Sequence, residues 1–298
     1  MSEKSVSIIM NCYNGDKYLH YAIDSILSQT HENWELIFWD NQSTDDSANI
    51  FKRYTDSRFK YYYAEKHEVV VSKARNYALA KAKGSFIAFL DVDDVWMPIK
   101  LTEQLKFFDQ QDVGVVCGNY WVTNERKHKK YLAYRKQFNP KITTNFLLRN
   151  YVVCLVTLII KREILEKLNY VFDERYHIIG DFDLILRLSM ITSIAYIKKP
   201  VAVLRLHGNN ETNKNINLHW EELNSWIQLG ENINEINSLD GFKYRKDWYV
   251  YTKALHKIID NEKKYAYGIL KNLPWGMLKL RLLIAILMPV AIVKSLKN

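Results

Sequence analysis

The sequence predicts an α/β fold, a mostly parallel sheet flanked by helices, with a C-terminal helical extension. Three observations carry that reading. Apolar runs of strand length alternate with helical patterns over about the first 120 residues. Polar side chains fall repeatedly just after those runs, most densely in GSFIAFLDVDDVWMP at 84–98. From residue 243 onward, the most apolar stretch of the chain coincides with its basic charge.

The elements follow in order. Residues 6–10 are a short apolar strand, and 17–28 place Tyr18, Leu19, Ala22, Ile23, Ile26 and Leu27 at helical spacing. Residues 35–39 are a second strand, after which Ser43 or Thr44 is a candidate helix cap. Residues 60–64 are strand-like, 72–82 are helical, and 86–90 are the fourth strand. Pro98 opens another helix, since proline suits a first helical turn. Such alternation implies parallel strands, right-handed crossovers and helices on both faces. Ligands then bind beyond the carboxyl ends of the strands.

Composition sets the bounds. A chain of 298 residues, 48% hydrophobic, can bury a sizeable core. Cys12, Cys117 and Cys154 have no metal-ligand spacing and read as buried thiols in a reducing compartment. The N-terminal apolar run is too short for a signal peptide, so a cytoplasmic location is expected. From residue 243 on there are 12 Lys/Arg against 3 Asp/Glu, a surplus that equals the net charge of +9. The rest of the chain is balanced, and no nucleic-acid partner is expected.

The strand-end rule gathers Asn11, Tyr13 and Asn14, then Asp40 and Asn41, then Asp91, Asp93 and Asp94. Asn and Asp are also ordinary loop formers, and each single position admits that plainer role. Three acids within four positions after a buried strand repel one another. A divalent metal relieves that most simply, and oxygen ligands point to Mn²⁺ or Mg²⁺. Neither GxGxxG nor GxxxxGK[ST] occurs, which argues against a dehydrogenase or a P-loop enzyme. A nucleotide diphosphate neutralised by a carboxylate-bound metal fits.

Three stretches carry a family resemblance: VSIIMNCYNGDKYLHYAIDSILSQTHENWELIFWDNQSTDD, SKARNYALAKAKGSFIAFLDVDDVWMPIKL and FDERYHIIGDFDLILRLS. In this order, over roughly residues 5–210, the chain resembles a family 2 inverting glycosyltransferase of the bacterial surface-glycan type. The resemblance implies the GT-A fold, a Rossmann-like sheet that binds nucleotide sugars. It also implies roles. Asp91 and Asp93 match the DxD motif that holds the metal and the ribose–diphosphate, with Asp94 its acidic neighbour. Asn11 and Tyr13 match positions that meet the nucleobase. Asp40 and Asn41 match a pair usually written Asp-Asp, whose second member accepts the uracil N3–H, and an amide oxygen can still accept it. UDP is the expected nucleotide, and a thymine nucleotide, which presents the same edge, is the alternative. Arg75 matches an arginine near the base or phosphate.

Asp181 matches the general base of an inverting transfer, while Gly180 replaces the acid that usually precedes it. At a helix N-terminus Asp181 is expected to have a low pKa and so to be ionised; a plain capping role is the alternative. Asp183 is expected either to face the acceptor or to support the site from behind Asp181. His207 resembles a C-terminal histidine that approaches the metal or the diphosphate. His177 reads as a loop residue.

The resemblance places the catalytic domain at residues 1–212 and a helical extension at 213–298. In the extension, 217–234 and 248–259 look helical, and 282–293 are twelve apolar residues containing Pro289, flanked by Lys279, Arg281, Lys294 and Lys297. At ~1.5 Å per residue that run is short of the ~30 Å bilayer core. It reads as an interfacial helix on an anionic membrane surface, which would make the protein peripheral at the inner face of the cell membrane. Packing on the domain or in a homo-oligomer is the alternative. The implied partners are a nucleotide-sugar donor and a glycan or lipid-linked acceptor. A catalytically silent sugar-nucleotide or glycan-binding module on the same fold is the other function class.

Overall fold

Val6–Cys12 (β1) is the middle of a parallel array because nearly all its side chains are apolar and buried on both faces. Asp16–Leu27 (α1) leads to Trp34–Asp40 (β2), and Ser47–Lys52 (α2) to Phe59–Tyr63 (β3). Val71–Leu79 (α3) precedes Phe86–Phe89 (β4), then come Val95–Trp96 (β5) and Lys100–Leu105 (α4). The structure is a computed structural model that describes residues 4–110, 112–135, 141–208 and 210–297.

The chain continues through Val113–Asn124 (β6), Lys129–Leu132 (β7), Lys141–Ile142 (β8), Thr144–Arg149 (α5), Ile159–Lys161 (β9) and Arg162–Leu165 (α6). Gly180–Ile191 (α7), Ser193–Leu206 (β10) and Glu211–Lys214 (α8) follow. The sheet order is β3-β2-β1-β4-β9-β6-β10-β5, with β7 on β6 and β8 on β10. Strands β3, β2, β1 and β4 are parallel to one another, as the alternation predicts. Beyond β4 the sheet is mixed: β9 runs antiparallel to both β4 and β6, while β6 and β10 pair in parallel.

Period-two alternation splits β1 between two layers. Val6, Ile8, Met10 and Cys12 join Leu19, Ala22, Ile23 and Ile26 of α1 and Leu36 and Phe38 of β2 in one core. Each such aliphatic burial contributes roughly 1.5–3 kcal/mol. On the other face, Trp39 stacks on Tyr77 of α3 at 5.6 Å. Gly84 lets β4 start hard against β1, since a Cβ there would lie 2.6 Å from the Ser7 nitrogen. Its own N–H donates to Ser7 Oγ at 2.7 Å.

Two local expectations are corrected. Ser43 and Thr44 do not cap α2, which starts after Asp46. Instead Ser43 Oγ accepts the Asn14 N–H and Asn14 Oδ1 accepts the Thr44 N–H, which ties the turns after β1 and β2 together. The helix expected to open at Pro98 begins at Lys100 and ends as a 3₁₀ turn over Lys106–Asp109. Residues 125–132 turn back on β6 to form a hairpin with β7.

The chain divides into two units, Met1–Thr144 with Val152–Asn215, and Asn145–Tyr151 with Ile216–Asn298. The second is helical: Ile216–Glu231 (α9), Asn234–Asn237 (α10), Asp240–Ile259 (α11), Lys263–Asn272 (α12), Met277–Leu287 (α13) and Val290–Lys297 (α14). Pro289 breaks the apolar tail into α13 and α14. Leu282, Ala285, Ile286 and Val293 pack with Ala254 and Ile258 of α11 and Ala266 of α12. One face of the tail is thus core.

Candidate active site

Three adjacent parallel strands end together. Cys12 of β1 pairs with Asp40 of β2, and Ile9 of β1 with Phe89 of β4. Asn11, Tyr13, Asp40, Asn41, Asp91, Asp93 and Asp94 therefore leave the sheet along one edge, as the strand-end rule requires. The turns after β1 and β2 pass through left-handed residues, Asn14 (φ 53°) and Gln42 (φ 65°). Asparagine tolerates that conformation better than most.

The first two strand ends divide their work. Asp40 is fully buried: Oδ1 accepts the Ser43 N–H at 2.7 Å and Oδ2 the Tyr61 hydroxyl at 2.7 Å. Asn41 is buried too, and its amide is engaged twice with one loop residue. Oδ1 accepts the Glu68 N–H at 3.0 Å and Nδ2 donates to the Glu68 carbonyl at 2.8 Å. His67 Nδ1–H donates to the Asn41 carbonyl at 2.9 Å. Tyr13, 52% exposed, lies with its ring 4.2 Å from the His67 imidazole. Asn11 Nδ2 is buried and has no hydrogen-bond partner among the described residues. A buried donor left so is costly unless a ligand oxygen meets it.

The acids after β4 differ in surroundings. Asp91 is partly exposed and pairs with Arg75 of α3, Nη2 to Oδ1 3.1 Å. Asp93 Oδ2 accepts from His207 Nε2 at 2.9 Å and from Asn210 Nδ2 at 3.2 Å. Burial and the Asp91 charge raise the Asp93 carboxyl above the ordinary range, against the His207 hydrogen bond. Asp94 is buried, accepts the Arg205 N–H at 2.9 Å, and is pushed up by burial and then by its two neighbours.

Sequence reasoning missed the groups that brace this turn. Arg205 Nε donates to the Asp93 carbonyl at 3.1 Å, and its guanidinium lies over the Tyr18 ring at 4.6 Å. Tyr18 donates to Glu125 at 2.7 Å and its ring lies 5.1 Å from that of His207. These residues come from α1, the β6–β7 turn and β10. No local pattern joins them.

Asp181 is the second residue of α7, beyond the cap position Ile179. Its Oδ1 accepts the neighbouring Phe182 N–H at 2.7 Å. The expected lowered pKa is corrected. Burial raises the carboxyl above 3.8, opposed by the Arg75 charge and the Phe182 N–H and assisted by Asp91. Desolvation outweighs the helix terminus. Gly180 packs against Ser72 of α3 so closely that a Cβ would collide with the Ser72 Oγ. Asp183, expected to face the acceptor or to support the site from behind Asp181, is buried and ion-paired with Arg187 at 2.7 Å. Arg187 in turn donates to the Tyr170 and Val171 carbonyls. His177 is more than a loop residue, because its Nδ1 accepts the Val71 N–H that begins α3.

Among the described residues, no three His, Cys, Asp or Glu side chains converge closely enough to hold a metal ion as they stand. The donor set nevertheless suits one. Asp91 and Asp93 offer hard carboxylate oxygens at one edge, and the borderline imidazole of His207 already meets Asp93.

Glycosyl transferase family 2 matches residues 7–169. The chain is 35% identical over 173 residues to an Escherichia coli protein named UDP-Glc:alpha-D-GlcNAc-diphosphoundecaprenol beta-1,3-glucosyltransferase WfgD, a match that covers 58% of this chain and 66% of that one. It is 37% identical over 117 residues to the putative teichuronic acid biosynthesis glycosyltransferase TuaG of Bacillus subtilis, covering 39% and 46%. The chain thus spans just under two thirds of the first relative and less than half of the second.

Among solved structures, S. aureus TarS 1–349 in complex with UDP-GlcNAc superposes with a TM-score of 0.68 at 18% identity, over 91% of this chain and 82% of that one. The Pyrobaculum calidifontis mannosyltransferase PcManGT in complex with GDP-Man and Mn²⁺ gives 0.60 at 17% identity, over 98% and 86%. At such identities these two show the fold alone. With its strand-end acids on a GT-A sheet and a family match over more than half its length, the chain belongs to glycosyl transferase family 2.

Proposed function

We propose that this chain is an inverting hexosyltransferase that moves a sugar from a UDP-sugar to a hydroxyl of a lipid-linked glycan. The observation that carries the reading is the grouping of Asp181, Arg75 and Asp91. It couples a carboxylate on α7 electrostatically to the charges at the end of β4. In the reading, Asp181 takes the proton of the acceptor hydroxyl as that oxygen attacks the anomeric carbon. Its raised pKa makes it a stronger base than an exposed aspartate. Arg75 holds the donor phosphates, and Tyr13 and Asn11 meet the nucleoside. Asp40 and Asn41 act through the fold, because their polar atoms already shape the base loop.

Asp91, Asp93 and His207 are the residues that would hold Mn²⁺ or Mg²⁺. When bound, such an ion supplies positive charge to the leaving diphosphate. The acceptor class is suggested by the printed name of the E. coli relative, and a lipid carrier implies work at a membrane. No described helix is long and apolar enough to cross one. A lipid-linked acceptor is the reason for our reading of the protein as peripheral, at the cytoplasmic face.

The test is a panel of nucleotide sugars, each scored for UDP release with and without a polyprenyl-diphosphate glycan. The reading expects release from one UDP-sugar, accelerated by the acceptor and abolished by chelation. Tight UDP-sugar binding with no release under any condition would make the chain a silent binding module instead.

A further inference from the structure

We propose that α13 is a membrane-docking helix that presents one defined face to an anionic lipid bilayer. The proposal deepens the peripheral location given above and rests on that reading. It starts from a conflict within one helix. Met277–Leu287 is apolar nearly all round, yet only Leu282, Ala285 and Ile286 are buried in unit 2. Met277, Leu280, Leu283, Ile284 and Leu287 are exposed. With about 3.6 residues per turn, these five occupy roughly a third of the helix circumference, opposite the buried three. Trp275, just before the helix, is 88% exposed. Soluble surfaces carry single apolar residues freely, but a contiguous stripe of this kind marks a contact.

Charge decides what the contact is. No Asp or Glu occurs after Glu262, whereas seven Lys and Arg do. Arg281 and Lys279 fall at the two borders between the buried and exposed faces. From its border the Arg281 side chain can reach headgroups while its methylenes lie along the apolar stripe, whereas Lys279 Nζ donates to the Leu273 carbonyl at 2.8 Å. Lys279 Nζ also sits 4.9 Å above the Trp275 ring, which pairs a cation with the aromatic residue that favours a bilayer interface. A second copy of this chain would bring the same positive face to the stripe, and like charges oppose that pairing. An anionic lipid surface complements both the stripe and its borders. The helix has 11 residues, about 16 Å, so it lies in the interface rather than across the bilayer.

The buried face dictates the experiment. Deleting the tail would remove Leu282, Ile286 and Val293 from the core of unit 2, so exposed positions are substituted instead. Full-length protein is floated with vesicles of phosphatidylcholine, alone or with 30% phosphatidylglycerol (roughly physiological anionic content), at low and high salt. Wild type should float with the anionic vesicles at low salt, and much less with neutral ones. The variant Leu280→Ser/Ile284→Ser/Leu287→Ser should lose about tenfold or more of that binding. It should still release UDP from a soluble donor, so a failure of docking stays separate from a failure of the enzyme reading. As a second probe, brominated lipid should quench tryptophan fluorescence in wild type and distinctly less in Trp275→Ala. The proposal is overturned if wild type stays in the supernatant with anionic vesicles at low salt. It is equally overturned if wild type is a dimer that the triple variant converts to a monomer, since the stripe is then a protein interface.

Discussion

The guanidinium of Arg75 lies 3.1 Å from Asp91 while its charge also opposes the burial-driven rise in the pKa of Asp181. One cation on α3 is thus shared between an acid at the end of β4 and an acid at the start of α7. In the proposed reading, donor and acceptor chemistry meet across that residue. Changing it alters the electrostatics of both.

The pH dependence of transfer follows from this sharing. A base works only when unprotonated, so the acid limb of kcat/KM should lie above 3.8, the ordinary value for an aspartate. Arg75→Gln removes the charge that opposes the rise. The limb should then move to still higher pH, in addition to any loss of donor affinity. A limb that stays in place or moves down would detach Arg75 from Asp181.

Metal dependence is the second expectation. Asp93→Asn should reduce turnover by about a hundredfold or more, because the ion's charge acts on the leaving group. His207→Ala should raise the Mn²⁺ concentration needed for half-maximal rate. Thermal melts of both variants check that the fold persists. Full turnover in a chelator would contradict the assignment of Asp91, Asp93 and His207.

Gly180 gives a structural expectation that needs no assay. Gly180→Ala forces a Cβ onto Ser72 Oγ and should cost about 1–3 kcal/mol in urea denaturation. Adding Ser72→Ala should recover most of it. If the double variant is no more stable than Gly180→Ala, the α3–α7 contact does not explain why glycine stands where the family usually has an acid.

Much of the parallel half of the sheet was legible because burial on both faces gives β1, β2 and β4 nearly unbroken apolar runs. The edge that gathers the site followed from where those runs stop. The mixed half was not legible. Strand β9 has three residues, and β10 continues through Pro200 with register shifts, so neither shows a clean period. Pairing there is decided by tertiary contacts. At the site, residue type and order pointed to Asp91, Asp93 and Asp181. They could not show that the Asn41 amide is engaged with Glu68, or that Asp183 pairs with Arg187. Nor could they reveal that burial outweighs the helix terminus at Asp181. Each of these depends on neighbours distant in sequence.

The central claim is that Asp181 acts on the acceptor proton and not in holding the donor. Asp181→Asn keeps the shape and the hydrogen-bond acceptor for Phe182 while it removes the base. Calorimetric UDP-sugar affinity and the rate of transfer to a lipid-linked acceptor are measured on the same preparation. The account predicts donor affinity within about threefold of wild type and transfer reduced by about a hundredfold or more. Transfer at the wild-type rate, or affinity lost in step with it, would contradict the assignment.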